Sequence, residues 1–283
     1  MSNALSFSDE QAMILDSARE FCREKSPIAA VRGLLASETG FDSATWEEMV
    51  ALGWTGLAIP EAYGGAGLGF GSLVPIAESM GRSLLSTPLF STTLAAQAIL
   101  RAGQSAQQEQ WLPQLASGAA ATLALLDNGD WGAERTTCLA SRDGDDITLS
   151  GEKWFVADAG VASLFVVWCE LEGESALVLL NSDQLGEGAM SPHHMLDETK
   201  RAAKLSLQGV RVPAGQLLDA GNADSVLRDL KLLGALLVAA EATGSTGACL
   251  DVVVDYLKTR KQFGKLIGSY QALKHPTVGI LLD

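Results

Sequence analysis

The feature that most limits the fold is a change of hydrophobic period part-way along the chain, and a change back. Between about residues 119 and 219 the apolar residues fall in short β-rich runs. These are Ile147-Thr-Leu-Ser-Gly-Glu-Lys-Trp-Phe-Val156, Leu164-Phe-Val-Val-Trp-Cys169 and Ala176-Leu-Val-Leu-Leu180. Asp-, Gly- and Asn-rich turns such as Arg142-Asp-Gly-Asp-Asp146 separate them. That pattern predicts an antiparallel β barrel or sandwich. Val210-Arg-Val-Pro213 closes it, because proline cannot donate to a central ladder. Helical spacing holds on both sides. The predicted class is α+β: an N-terminal helical domain over 1–118, a middle β domain over 119–219 and the start of a C-terminal helical bundle over 220–283.

In the first part, Ser8 followed by Gln11 has the form of a capping box. Ile14, Leu15, Ala18, Phe21 and Cys22 then share one helical face. A second helix is expected from Ser43 with Trp46, Met49 and Val50 inward, and others over 72–83, 91–102 and 105–116. The loop Pro60–Gly69 has glycines at 64, 65, 67 and 69, but their spacing is not that of a dinucleotide fingerprint and no strand precedes them. It reads as a connector. After Asp224 a long helix runs to about Thr259, and its small residues Ala239, Ala240, Ala242, Gly244, Gly247 and Ala248 permit close helix approach. Another helix starts near Ser269, and the chain stops inside it at Gly279-Ile-Leu-Leu-Asp283, as though a bundle were cut. An incomplete bundle leaves apolar helix surface uncovered, so association of the chain is expected.

Composition removes several functions. With 47% hydrophobic residues in 283, the chain is globular rather than disordered. A net charge of −14 argues against nucleic acid or an anionic membrane as the main partner, so an anionic ligand must meet a local basic patch. Cys22, Cys138, Cys169 and Cys249 are scattered, without zinc spacing or a disulfide framework. The opening residues lack a signal-peptide pattern, and the apolar stretch Leu232–Ala240 is shorter than the roughly 20 residues of a bilayer span. These readings predict a cytoplasmic protein with no membrane span. His193 and His194 are adjacent in extended chain and point apart, so no metal is expected.

The basic patch exists. Lys258, Arg260, Lys261 and Lys265 place four of the 20 basic residues within eight positions. Arg260 offers a planar fork for phosphate oxygens, Phe263 a flat face for an aromatic ring, and Gln271 both donors and an acceptor. A pyrophosphate joined to a heteroaromatic ring suits that set. The plainer alternative is a solvated helix end whose cations offset the helix dipole.

Taken in order, Phe7-Ser-Asp-Glu-Gln11, Leu57-Ala-Ile-Pro-Glu-Ala-Tyr-Gly-Gly-Ala-Gly-Leu68, Ala77-Glu-Ser-Met-Gly81, Trp111-Leu-Pro113, Leu149-Ser-Gly-Glu-Lys-Trp-Phe-Val156, Val210-Arg-Val-Pro213 and Arg260-Lys-Gln-Phe-Gly264 with Gln271 resemble the acyl-CoA dehydrogenase family over nearly the whole chain. The resemblance implies FAD as cofactor and α,β-dehydrogenation of an acyl-CoA. It implies that Arg260, Gln262, Phe263 and Gln271 bind the FAD of a neighbouring subunit, with Ile267 and Tyr270 as wall residues. Phe155 then lies against the flavin, where tryptophan is frequent, and Ala157 stands where a threonine often contacts the flavin N5 edge. Expected partners are an acyl-CoA substrate, a second copy or a sister chain of the family, and an electron-transfer flavoprotein.

The sequence also departs from the family. Its usual Thr-Glu-Pro and Gly-Ser-Asp donors are replaced by Leu125-Leu-Asp-Asn-Gly-Asp-Trp-Gly132. The long-helix position that often holds an arginine, and in some members the catalytic glutamate, reads Leu232-Leu-Gly-Ala235. In most relatives that glutamate lies further along the bundle, so no catalytic base is expected within these 283 residues. Glu241 reads as an ordinary helix carboxylate. The leading expectation is a subunit lending its Arg260 turn to a shared FAD site, and the alternative is a non-catalytic scaffold or truncated remnant that binds no flavin. A flavin-dependent monooxygenase is a weaker third.

Overall fold

The computed structural model describes residues 8–130, 134–218 and 220–282. Met1–Phe7, Trp131 and Gly132 of the substituted stretch, Asp219 at the expected end of the middle domain and the terminal Asp283 lie outside the described residues. Helices α1 (Asp9–Lys25), α2 (Ile28–Leu34), α3 (Ser43–Ala51), α4 (Val74–Ser83), α5 (Leu89–Ala102) and α6 (Ser105–Ala116) come first. Among the described residues nine strands follow: β1 (Ala121–Ala124), β2 (Leu139–Asp143), β3 (Asp146–Ser150), β4 (Glu152–Ala157), β5 (Leu164–Leu171), β6 (Glu174–Asn181), β7 (Met190–His193), β8 (Ala202–Ser206) and β9 (Val210–Pro213). Then come α7 (Ala223–Thr259), a hairpin of β10 (Lys261–Gln262) and β11 (Lys265–Leu266), and α8 (Gln271–Leu282).

Contacts divide the chain into two compact units, the larger formed by Ala29–Leu73 with Ser86–Leu237. Its centre is β5, where Leu164–Cys169 is buried without a break because both faces of the strand are covered. One face sets Phe165, Val167 and Cys169 against Ile147, Leu149, Val178, Leu180 and Leu205. The other sets Leu164, Val166 and Trp168 against α5, α6 and the first turns of α7, through Ile99, Leu112, Leu115, Val226 and Leu230. The six-stranded sheet runs β1-β5-β2-β3-β9, with β6 also on β5, and a second sheet runs β4-β8-β7. Most pairings are antiparallel, but β1 and β2 lie parallel to β5, which alternation alone does not distinguish. The loop after Ile59 closes tightly on itself, and a Cβ on Gly65 would fall 2.6 Å from the Gly56 carbonyl oxygen.

Arg201, just before β8, ties this unit together. Its guanidinium donates to the carbonyls of Leu34, Leu35 and Ser37 beyond α2, and to those of Glu198 and Lys200 in its own loop. The first three lie at the end of α2 and just past it, where carbonyls lack intrahelical partners, and Leu34 also accepts from the Ser37 N–H and hydroxyl.

The smaller unit gathers the residues up to Ile28, Val74–Leu85 and the chain from Val238. The Ser8–Gln11 capping box is present, with both reciprocal bonds formed. Ala18 and Cys22 of α1 and Ile76, Ala77 and Met80 of α4 are buried. Helix α4 crosses α7 at two glycines. A Cβ on Gly81 would lie 2.8 Å from Glu241 Cα, and one on Gly244 would lie 2.9 Å from the Arg82 nitrogen. Ser245 Oγ donates to the Gly81 carbonyl at 3.0 Å, and Arg82 pairs with Asp251.

The apolar stretch does not end at Ala240. The 37-residue α7 contains an 18-residue window of mean hydropathy 1.3, of which 17% is buried. By length and composition alone it is long and apolar enough to cross a membrane, so the apolar stretch is longer than Leu232–Ala240. A bundle helix meant for other helices has the same composition. Val252 is 70% exposed, and Val278 and Leu281 of α8 are exposed as well.

Candidate functional site

Helix α7 ends where the Arg260 N–H donates to the Tyr256 carbonyl at 2.9 Å. The chain then turns back at once, and the Ile267 N–H donates to the Arg260 carbonyl at 2.9 Å. Between them Lys261 pairs with Leu266, and Gln262 with Lys265, around a two-residue turn. Phe263 and Gly264 have φ of +53° and +77°, the left-handed pair that a type I′ hairpin turn demands. Glycine meets that demand freely, whereas phenylalanine does so under strain. Phe263 is also 92% exposed.

The Tyr270 hydroxyl donates to the Gln262 carbonyl at 3.2 Å, so it fastens the hairpin to the start of α8. Ile267 is half-buried, while Arg260, Gln262 and Gln271 are exposed. Among the described residues, Lys258, Arg260, Lys261 and Lys265 make no ion pair. The segment therefore gathers Arg260, Gln262, Phe263, Ile267, Tyr270 and Gln271 on one hairpin and helix start.

Phe155 and Ala157 belong to the other unit, on β4. The pairing of β4 with β8 shifts between Lys153 and Val156, a bulge in which Phe155 takes a φ of +51°. Its half-buried ring meets the His193 ring edge-on, with centroids 4.1 Å apart. Lys204 Nζ stands 4.8 Å over the neighbouring Trp154 ring and bonds Glu152 at 2.8 Å. That hydrogen bond, with one from Trp154, holds the Glu152 carboxyl below its ordinary value. Ala157 is exposed and brings no side-chain donor.

Beneath this face lies a group that alternation along β4 does not reveal. Lys153 is fully buried, at 0% exposure. Its Nζ donates to Asp127 Oδ1 at 2.5 Å, to Thr136 Oγ1 at 3.0 Å and to the Leu125 carbonyl at 3.1 Å. Asp127 also accepts from the Thr136 hydroxyl and the Thr137 N–H. Asp127 of the substituted stretch is thus turned inward, while Asn128, Gly129 and Asp130 after it are exposed.

At the end of β4, Asp158 accepts a 2.6 Å hydrogen bond from the Ser91 hydroxyl. Burial raises its carboxyl to about 6, against the opposing effects of Ser91 and of the Lys200 charge. Leu232 is exposed, and Leu232–Ala235 contributes neither acid nor arginine. The Glu241 backbone lies in the crossing with Gly81. Cys22, Cys138 and Cys169 are buried and free, and burial pushes their thiols up to about 12, 11 and 12. Among the described residues no cluster of His, Cys, Asp and Glu is arranged to hold a metal.

A helical start, a mixed β unit with a bulged aromatic strand and a long helix ending in a basic hairpin define an acyl-CoA dehydrogenase-type fold. The family described as "Acyl-CoA dehydrogenase, N-terminal domain" matches residues 8–119, and "Acyl-CoA dehydrogenase, C-terminal domain" matches 232–281. Acyl-CoA dehydrogenase IpdE2 of Mycobacterium tuberculosis is 29% identical over 94% of this chain and 70% of its own length. IpdE2 of Mycolicibacterium smegmatis is 30% identical, over 95% and 71%. The solved "Tcur3481-Tcur3483 steroid ACAD G363A variant" superposes with a TM-score of 0.84 at 29% identity, covering 95% of this chain and 72% of that one. The chain belongs to the acyl-CoA dehydrogenase family.

Proposed function

We propose that this chain is a cytoplasmic subunit of an FAD-dependent acyl-CoA dehydrogenase, and that its Arg260 hairpin holds FAD across an interface with a second copy or a sister chain. The observation that carries this reading is Phe263, exposed and strained at a hairpin tip among four cations that make no ion pair among the described residues. Such a residue costs the free chain stability and is suited to a ligand from outside it.

The donor set fits the cofactor. Arg260 supplies a planar fork for the pyrophosphate, Gln262 and Gln271 supply amides, and Phe263 supplies a face for a heteroaromatic ring, with Ile267 and Tyr270 beside it. On β4, Phe155 is an aromatic wall, while Ala157 lacks the side-chain hydrogen bond expected at a flavin edge. The chemistry FAD supplies when bound is acceptance of a β-hydride from an acyl-CoA thioester. This chain's residues bind and orient. The α-proton is assigned to a carboxylate outside Leu232–Ala235, contributed by the assembly. The two-part name of the Tcur3481-Tcur3483 relative supports an unlike partner. An electron-transfer flavoprotein is the proposed acceptor.

The test is the visible spectrum of the chain, purified alone and after co-expression with a sister family chain, once excess FAD is removed. Stoichiometric flavin that is lost in Arg260→Ala and Phe263→Ala, with unchanged circular dichroism, is the expected result. Colourless protein in both preparations refutes it. That outcome selects the second reading, a scaffold binding no flavin, which the inward Asp127 and donorless Ala157 favour.

A further inference from the structure

We infer that the buried Lys153–Asp127 pair is a positioning device that fixes the Phe155 ring on the exposed face of β4. It rests on the proposed flavin reading only for its consequence, since Phe155 is the wall assigned there.

A buried ion pair is poor evidence for stability, because apolar side chains of similar size commonly serve as well. The geometry gives this one a different task. Between Lys153 and Val156 the register with β8 shifts, so the regular ladder is broken at Trp154 and Phe155. Phe155 is left-handed as well, a conformation that a non-glycine residue abandons unless its surroundings enforce it.

Enforcement comes from the opposite side. The Trp154 N–H donates to the Leu126 carbonyl at 2.7 Å, and Lys153 Nζ reaches the carbonyl before it and the side chain after it, Leu125 and Asp127. Three consecutive residues of one segment are thereby bolted to two consecutive residues of the bulge. Thr136 completes the set by accepting from Lys153 while donating to Asp127. Trp168, 5.7 Å from Nζ, covers the ammonium. Each strong donor and acceptor is used, so the pair has one geometry and the bulge inherits it.

The contact of Phe155 with His193 provides a readout that a merely structural role leaves unmoved. The chain has only three histidines, so their imidazole proton resonances are separable, with His193→Gln as the assignment. In the wild-type chain the His193 resonance is displaced by the ring current of Phe155, and Phe155→Leu abolishes the displacement. Lys153→Met with Asp127→Leu removes both charges and is expected to unfold cooperatively like wild type. Its His193 resonance moves to the position seen in Phe155→Leu. Asp127→Asn, which removes the charge but keeps an oxygen acceptor for Lys153, is expected to move the resonance part of the way towards that position and serves as the test if the double variant does not fold.

A folded double variant with the wild-type His193 resonance overturns the inference. A folded Asp127→Asn variant with the unmoved wild-type His193 resonance also overturns it, since the charge pair would then not be what sets the ring. A second arm uses FAD with the chain and its partner, where the double variant should retain flavin at least about tenfold more weakly. Wild-type protein that takes up no FAD defeats the proposed function but leaves the resonance experiment to judge the clamp.

Discussion

Replacing Gly81 by alanine tests whether the α4–α7 crossing is as close as described. An added Cβ would lie 2.8 Å from Glu241 Cα and 2.7 Å from its carbonyl carbon, where carbon atoms normally rest about 3.5–4.0 Å apart. The helices must therefore part locally by roughly 1 Å. Overpacking of this kind costs about 1–3 kcal/mol, and parting also strains the Ser245–Gly81 hydrogen bond, worth about 1 kcal/mol. Opposing both, alanine is favoured over glycine within a helix by about 1 kcal/mol. The net expectation is destabilisation by about 1–3 kcal/mol. Gly279→Ala is the internal control, because its Cβ meets nothing within 4 Å on α8 of the same unit. Only the propensity gain applies there, so it stabilises by up to about 1 kcal/mol. Urea unfolding followed by circular dichroism measures both. Gly244→Ala should resemble Gly81→Ala, and the double variant should cost less than the sum, since one parting relieves both contacts. If Gly81→Ala and Gly279→Ala shift stability in the same direction, the reasoning from close approach is wrong.

Asp158 gives a pH dependence with a definite sign. Its folded value of about 6 lies above its unfolded 3.8, so the folded chain holds the proton longer and stability falls as pH rises between those values, by at most about 3 kcal/mol. Asp158→Asn should therefore be more stable than wild type in thermal melts at pH 7.5, with the gap closing towards pH 4; an equal gap at both disproves the assignment. Arg201→Lys loses the planar fork that reaches five carbonyls and should cost about 2–3 kcal/mol, with faster proteolysis near Leu34–Ser37. Wild-type proteolysis rates would show that the fork does not matter. Phe263→Gly relieves a left-handed residue and should stabilise the hairpin by about 0.5–1 kcal/mol while abolishing flavin retention. Hydrogen exchange at Arg260 and Ile267 reads the first effect and absorbance the second.

Local signals reached as far as local physics does. The Ser8–Gln11 box is visible because both of its bonds lie within one turn of chain. The unbroken run Leu164–Cys169 announces a strand covered on two sides, but not which strands lie beside it, because parallel neighbours arrive from distant segments. Helix α2 escaped notice since its seven residues bury only Val31, too little for a periodic signal. Lys153 looks like an ordinary polar position between Glu152 and Trp154. Its burial depends on Asp127 and Thr136, 26 and 17 residues away, and on a bulge that reverses the alternation. Arg201 is hidden for the same reason, as its acceptors at Leu34–Ser37 lie more than 160 residues earlier. The Arg260 segment suggests an anion site to a sequence reading because all of its groups lie within one short stretch, and that site is part of the proposed function.

The phenylalanine at the hairpin tip also has a bearing on time. Glycine or asparagine would make the same turn with less strain and less carbon in water. Mutation offers both replacements repeatedly, and each improves the hairpin considered by itself. On the proposed reading, natural variation at position 263 is a record of use: lineages in which the turn serves a partner are expected to keep an aromatic ring there, and lineages released from that service to drift to glycine or asparagine.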